Sequence, residues 1–343
     1  MVKCVLEHLY LATGKSSEIE ALREDLPVSF NVIEIDDWID SDSVQLDVLD
    51  LFCKKLNIEM DVHVNLVLFI GQDFETATPK MLFFVGAFMI LHLGQTADSV
   101  SSLLEACGIM TPGSPPSISS QGRHLSIYHY WRALDKVLSL GWLVRSSSEE
   151  EPALDMEEFA HYAAAANGGL RLAAPGELIF FPAPADLPDG VDWHDYSPAS
   201  GRVARRFSAR FYARLLPDLG VSCVACLGRG APAAAAAFEA RGLAAADLGL
   251  AADGSSLLRG LDRLLSLARA APGAVAVHSG DAGGGWPGYA GTLAAAVLIS
   301  RLGFDEGTAA AWLEIAGPWA PARHPGPPPP TVTPQLSLPP VHG

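Results

Sequence analysis

Ala274-Val-Ala-Val-His278-Ser279-Gly280-Asp-Ala-Gly283-Gly284-Gly285-Trp286-Pro287-Gly288-Tyr289-Ala-Gly291-Thr292 is the passage from which the rest of the chain is read. The small and β-branched residues ahead of His278 predict a short buried strand. The glycines predict a tight loop, and the apolar run after them a helix over 291–301. A strand, glycine-rich loop and helix in this order aim backbone N–H groups and the positive helix end at one point, which is where an anion binds.

The same pattern occurs earlier. Leu66-Val-Leu-Phe-Ile70-Gly71 predicts a strand, 72–80 a loop and 81–91 a helix; Leu93-Gly94 turns the chain, and a second helix over 97–106 closes at Gly108. Shifted by 209 positions without a gap, Gly71 falls on Gly280, Ala87 on Ala296, Leu93-Gly94 on Leu302-Gly303, Leu104-Glu105 on Leu313-Glu314, and Gly108 on Gly317. The matching order of elements reads as a duplicated α/β unit. The loop of the first copy, from Gln72 to Lys80, carries neither cysteine nor arginine and reads as structural.

The chain has 343 residues, enough for two domains, each with its own core. With 49% hydrophobic and 18% charged residues it is a folding sequence, and a net charge of −16 argues against nucleic acid or an anionic membrane as partner. Five scattered cysteines (Cys4, Cys53, Cys107, Cys223, Cys226) suit reduced thiols of the cytosol or nucleus. Cys223-Val-Ala-Cys226 is a lone pair in an apolar run, with no second pair to complete a zinc site, and reads as core thiols. No basic-then-apolar leader opens the chain, so no secretory signal is expected, and the apolar run 81–91 is too short to span a bilayer.

Between these landmarks, 6–13 predicts an edge strand, 35–43 an acidic solvated loop and 44–56 a helix. Arg145-Ser-Ser-Ser-Glu149-Glu-Glu-Pro152 opens a linker that continues into a helix over 156–165. Short buried strands are expected over 178–181 and 221–227. From 201 to 215, read as one helix, Val203, Phe207, Phe211 and Leu215 make an apolar stripe. Arg202, Arg206, Arg210 and Arg214 line the adjoining face, a candidate dock for an acidic protein or else a solvated face balancing nearby carboxylates. Asp192-Trp-His194-Asp-Tyr196 fits no standard metal spacing and reads as a surface loop. Gly283, Gly285 and Gly288 satisfy the dinucleotide spacing formally, but Trp286-Pro287 would crowd a pyrophosphate. No metal and no cofactor are expected. The proline-rich 321–343 cannot pack a core and is expected to be extended.

A set of strings, in order along most of the chain, resembles the dual-specificity phosphatases of the cell-division-cycle-fourteen, or mitotic-exit, type. They include Leu6-Glu-His-Leu-Tyr-Leu-Ala-Thr13, Phe84-Val-Gly-Ala-Phe-Met-Ile-Leu-His-Leu93, Glu158-Phe-Ala-His161-Tyr162 and Pro175-Gly176-Glu-Leu. Asn167-Gly168, Ala252-Asp253-Gly254-Ser255, Gly273-Ala-Val-Ala-Val-His278, Gly291-Thr292-Leu and Ala311-Trp312-Leu complete the set. The resemblance implies an α/β fold of two tandem phosphatase-like domains, each a mixed sheet flanked by helices, joined by a linker helix. The divisions expected are a non-catalytic domain over 1–145, a linker over 146–168, a second domain over 169–320 and the tail over 321–343.

Carried over residue by residue, the resemblance puts a general acid on Asp253, a buried loop histidine on His278 and the nucleophile on Ser279, where the family has cysteine. Gly285 stands where the phosphate-binding arginine belongs, and gapping to match the helix start moves Tyr289 onto it instead. A serine hydroxyl stays protonated at neutral pH where a depressed thiol would be ionised. Losing the arginine removes bidentate hydrogen bonds and positive charge from the phosphoryl group. Asp281 adds negative charge to the loop. The resemblance so departed from implies a pseudophosphatase, a scaffolding module for other proteins. Because relatives work at centrosomes, basal bodies and cilia, it implies a cytoplasmic protein of a cytoskeletal or axonemal assembly, with the nucleus as the alternative site. A phosphoserine-proline reader using a basic group such as Arg229, and a residual phosphatase, are the competing readings.

Overall fold

The two copies of the duplicated pattern take one form in the computed structural model, which describes residues 2–6, 8–15, 18–27, 29–34, 44–71, 77–120, 123–145, 151–196, 204–228, 232–250, 256–278 and 287–317. The first copy holds β1 (Val2–Leu6), β2 (Leu9–Gly14), α1 (Ile19–Asp25), β3 (Phe30–Glu34), α2 (Leu46–Val62), β4 (Asn65–Gly71), α3 (Ala77–Leu91) and α4 (Ala97–Ala106). Its sheet has the order β1-β2-β4-β3, with β1 antiparallel and the other three parallel. The edge strand expected over 6–13 is therefore corrected to two strands. The chain reverses at His8, whose φ is 70°, and β2 lies inside the sheet between β1 and β4. Helices cover both sheet faces, so Leu66, Val67, Leu68 and Phe69 of β4 are all buried, as parallel strands require.

α3 is apolar all round and buried from Met81 to Ile90. It begins four residues before the expected start, because Pro79 sits in the first turn, where no backbone N–H is needed. α2 runs to Val62, six residues past the expected end. After α4 come a hairpin of β5 (Ser117–Ser120) and β6 (Arg123–Ser126), then α5 (Ile127–Ser139).

α6 (Met156–Ala163) leads to the second sheet through a 3-10 turn at Ala165–Asn167. The elements that follow are β7 (Arg171–Ala174), β8 (Leu178–Phe181), β9 (Trp193–Tyr196), β10 (Ala204–Phe207), α7 (Ala209–Asp218) and β11 (Val221–Cys226). Then come α8 (Pro232–Glu239), β12 (Ala244–Asp247), α9 (Leu257–Ala270), β13 (Ala274–His278), α10 (Pro287–Leu302) and α11 (Glu306–Ala316). The order is β12-β11-β13-β8-β7, with β7 antiparallel to β8 and the rest parallel. It is the first sheet with one further strand, β12, on its edge.

The correspondence reaches single residues. Gly94 and Gly303, 209 positions apart, have φ of 70° and 69°, the left-handed turn that a Cβ would strain. Two residues on, Thr96 caps α4 by accepting from the Ser99 N–H at 3.2 Å, and Asp305 caps α11 by accepting from the Thr308 N–H at 2.9 Å.

α5 binds the two copies together. It packs against α3 and α4 on one side and α11 on the other. The Tyr130 hydroxyl donates to Glu314, Arg132 lies 3.5 Å from Asp305, and the Trp142 ring lies 6.0 Å from Phe304 and 5.6 Å from Trp312. A single apolar cluster includes Leu9 of the first sheet and Val275 of the second.

Candidate functional site

β13 is the middle strand of the second sheet, between β11 and β8, and Ala274 to His278 are buried without exception. Three strand ends come level at the carboxyl edge, since His278 lies opposite both Cys226 and Phe181. Open α/β sheets place their ligand sites at this edge. His278, 5% exposed, has Phe181 and Phe238 at ring-centroid distances of 5.1 and 6.0 Å, and its carbonyl accepts from the Leu227 N–H at 2.8 Å. The histidine thus belongs to the core beneath the site.

α10 begins at Pro287 rather than at 291 as expected, so the connection from β13 is shorter than the sequence suggested. Proline is favoured at the first helical position, because its fixed φ suits the helix and its missing N–H has no partner there. Leu293, Ala294, Val297 and Leu298 bury the inner face of α10, and its last turn is tied down by Arg301, 3.0 Å from Glu177. Tyr289 lies in this first turn, packed against the main core. α10 is the next element after the carboxyl end of β13, and a helix N-terminus following a strand in this order suits an anion. Ser279 and Gly285 lie outside the described residues, as do Asp253, Arg229 and Arg202, the acidic stretch 35–43 and the tail 321–343.

The arginine row is corrected. Residues 204–207 form β10, which pairs with β9, and the helix begins only at Ala209, so Arg206 does not share a helix with Arg210 and Arg214. Ser208 makes the break by accepting from the Phe211 N–H at 3.2 Å, an N-cap signal that was legible in the sequence. The Arg206 guanidinium lies 4.3 Å from the Tyr196 ring centre; Arg210 is 4.0 Å from Asp192, and Arg214 pairs with the same carboxylate. Arg205, which sequence reasoning passed over, makes the strongest contact, forked onto Asp195 at 2.8 and 3.1 Å and 3.9 Å from the Trp193 ring centre. That pairing holds the Asp195 carboxyl below its usual range. Asp192 to Tyr196, expected as a loop, carries strand β9 because Arg205 and Arg206 give it a cross-strand partner.

Cys223 and Cys226 are buried on β11 and in no disulfide, and burial pushes the Cys223 thiol up. Among the described residues no group of His, Cys, Asp and Glu could hold a metal ion, and no helix is long and apolar enough to cross a membrane.

No family model matches the chain. It is 25% identical over 276 residues to the dual specificity protein phosphatase CDC14C of Symphalangus syndactylus, covering 78% of this chain and 52% of that protein. Against the Homo sapiens protein of the same name it is 26% identical over 278 residues, covering 78% of this chain and 56% of the relative. The chain spans about half the length of the curated relatives it matches. With a four-stranded and a five-stranded mixed sheet built on one plan, it is a distant relative of the CDC14-type dual-specificity phosphatases.

Proposed function

We propose that the chain is a catalytically silent member of this lineage, whose two-part body binds other proteins as a scaffold. The observation that carries the reading is the pair of residues at the loop after β13. Ser279 stands where the relationship calls for a nucleophilic cysteine, and Gly285 where it calls for an arginine. Each loss is disabling by itself. The hydroxyl has no ionised form at neutral pH, and without a guanidinium nothing offsets the charge of a phosphoryl group beside Asp281. Asp253 rescues nothing, since a general acid without a nucleophile has no leaving group to protonate. The division into 1–145, 146–168 and 169–320 belongs to the same proposal. A cytoplasmic host in a cytoskeletal, centrosomal or ciliary assembly follows from the kinship alone.

The test is direct. The purified chain is incubated with para-nitrophenyl phosphate beside Ser279→Ala, and both are expected to match the buffer blank. Turnover by the parent that disappears in Ser279→Ala would overturn the reading. Ser279→Cys is expected to remain silent while Gly285 stands, and Ser279→Cys with Gly285→Arg to recover measurable hydrolysis.

A further inference from the structure

Four of the seven large apolar side chains that stand exposed among the described residues lie between Leu51 and Val64, on α2 and just beyond its end. Leu51 is 51% exposed, Ile58 61%, Val62 68% and Val64 69%. Single apolar residues scattered over a surface are ordinary, whereas a run of them marks a place of contact. At 3.6 residues per turn, Ile58 and Val62 fall within about 20° of the line through Leu51. The helix is held to the body by its other side, where Leu46, Leu49, Phe52, Cys53 and Leu56 are buried. α2 is therefore apolar on two opposite faces, and only one of them is covered among the described residues.

Leu51, Lys55, Ile58 and Val62 follow one another at four, three and four residues, the seam repeat by which two helices pack along their length. Lys54 and Asp61 flank this seam on one side, and Lys55 and Glu59 lean to the other. Lys54 pairs with Asp50 at 2.7 Å and feels the charge of Glu157, yet 62% of its side chain stays exposed. Glu59 lies 3.2 Å from His63, and Asp61 accepts from Asn57 Nδ2 at 3.4 Å. A helix that fits the seam must present acid against Lys54 and Lys55 and a base against Glu59 and Asp61. α2 read in the opposite direction does both. With Leu51 set opposite Val62, Lys54 comes level with Asp61, and Lys55 with Ile58 and Glu59. The remaining acids stay clear of one another, since Asp50 comes level with His63 and Asp47 passes beyond the helix end.

We propose that α2 packs antiparallel against α2 of a second copy of this chain, across a two-fold axis that passes between Leu56 and Asn57. A two-fold contact uses one patch on both copies, so each favourable pair occurs twice. Leu51 would rest against Val62 of the second copy, the Lys55 stem would lie over its Ile58, and Val64 would extend the contact at each end. A long charged side chain can cover apolar surface with its stem while its head stays in water. The contact runs for about three helical turns, so the dimer is reversible rather than obligate. It makes no use of the loop after β13 and stands whether or not that loop turns over phosphate.

The experiment is sedimentation velocity of the full chain from about 1 to about 300 µM in about 0.15 M salt, where screening moderates the repulsion between two chains of net charge −16. A concentration-dependent shift from monomer to dimer is expected, with a Kd at or below about 100 µM. Ile58→Glu is expected to raise that Kd by about tenfold or more, with the urea midpoint of the parent, because the position is exposed. Lys54→Glu and Asp61→Lys should each weaken the dimer by about threefold or more. The two together should restore it, since the exchanged charges meet again across the axis. A chain that stays monomeric throughout, or a dimer indifferent to Ile58→Glu, would overturn the proposal. So would a double variant no better than the single ones, since the helices would not then lie antiparallel in this register.

Discussion

With Phe181 and Phe238 at centroid distances of 5.1 and 6.0 Å, the His278 ring is enclosed by aromatic side chains from β8 and α8. Emptying such a position costs about 2–5 kcal/mol in a closed core. His278→Ala is expected to lower the urea midpoint by that order, with aryl phosphate hydrolysis at the blank before and after. Lost turnover at unchanged stability would instead place the ring in chemistry. Trp312, whose Nε1 donates to the Ala173 carbonyl at 2.8 Å, is the parallel case. Trp312→Phe forfeits a buried hydrogen bond and leaves that carbonyl unmet, for about 1–3 kcal/mol by urea denaturation. At this scale the sequence was informative about identity and silent about neighbours. Ser279 and Gly285 could be read against a known pattern. Nothing local showed that Phe238, in an alanine-rich stretch forty positions upstream, would share a core with His278.

Among elements, the equivalent helices α4 and α11 invite a paired experiment, since one cap is a hydroxyl and the other a carboxylate. Burial pushes the Asp305 carboxyl up, but the bonds from the Thr308 N–H and hydroxyl, with Arg132 nearby, outweigh it and hold it below the usual range. A carboxyl whose folded pKa lies below its unfolded value stabilises fully above about pH 4 and loses that contribution as pH falls through the folded value. Asp305→Ala should therefore cost about 1 kcal/mol near neutrality, and less at about pH 3. Thr96→Ala should cost a similar amount at both pH values, because a hydroxyl does not titrate there. Urea unfolding of the parent and both variants at the two pH values decides it. Element order was legible because strand–loop–helix–glycine–helix recurs with its punctuation intact. In the arginine segment, alternation in Ala204-Arg-Arg-Phe207 and helical spacing beyond Ser208 overlap in one run; the Ser208 cap marks the break, and pairing with β9 makes the first half a strand.

At the scale of the molecule, α5 lies between the first copy and α11, and at Gly307 the two helices leave no room for a side chain. A Cβ there would fall 2.4 Å from the His129 ring. With one apolar cluster running through both sheets, the chain is expected to unfold in a single transition, tryptophan fluorescence and far-ultraviolet circular dichroism giving the same urea midpoint. Gly307→Leu forces α11 away from α5, and the two midpoints should separate. Coincident midpoints in that variant would mean that the copies are coupled elsewhere.

The sequence by itself determined the α/β class, the duplication and the buried helix after β4, while Ser279 and Gly285 are assigned to a thiol-phosphatase site through the resemblance alone. The first three are written in neighbouring residues or in a fixed spacing, and apolar periodicity, glycine and proline carry such information locally. Only the tertiary structure decided that β2 is interior, that the arginines are shared between a strand and a helix, that α5 serves both copies, and that α2 keeps an apolar line exposed. Those are matters of which distant segments meet, and pairing between segments far apart in the chain leaves no mark on either segment alone.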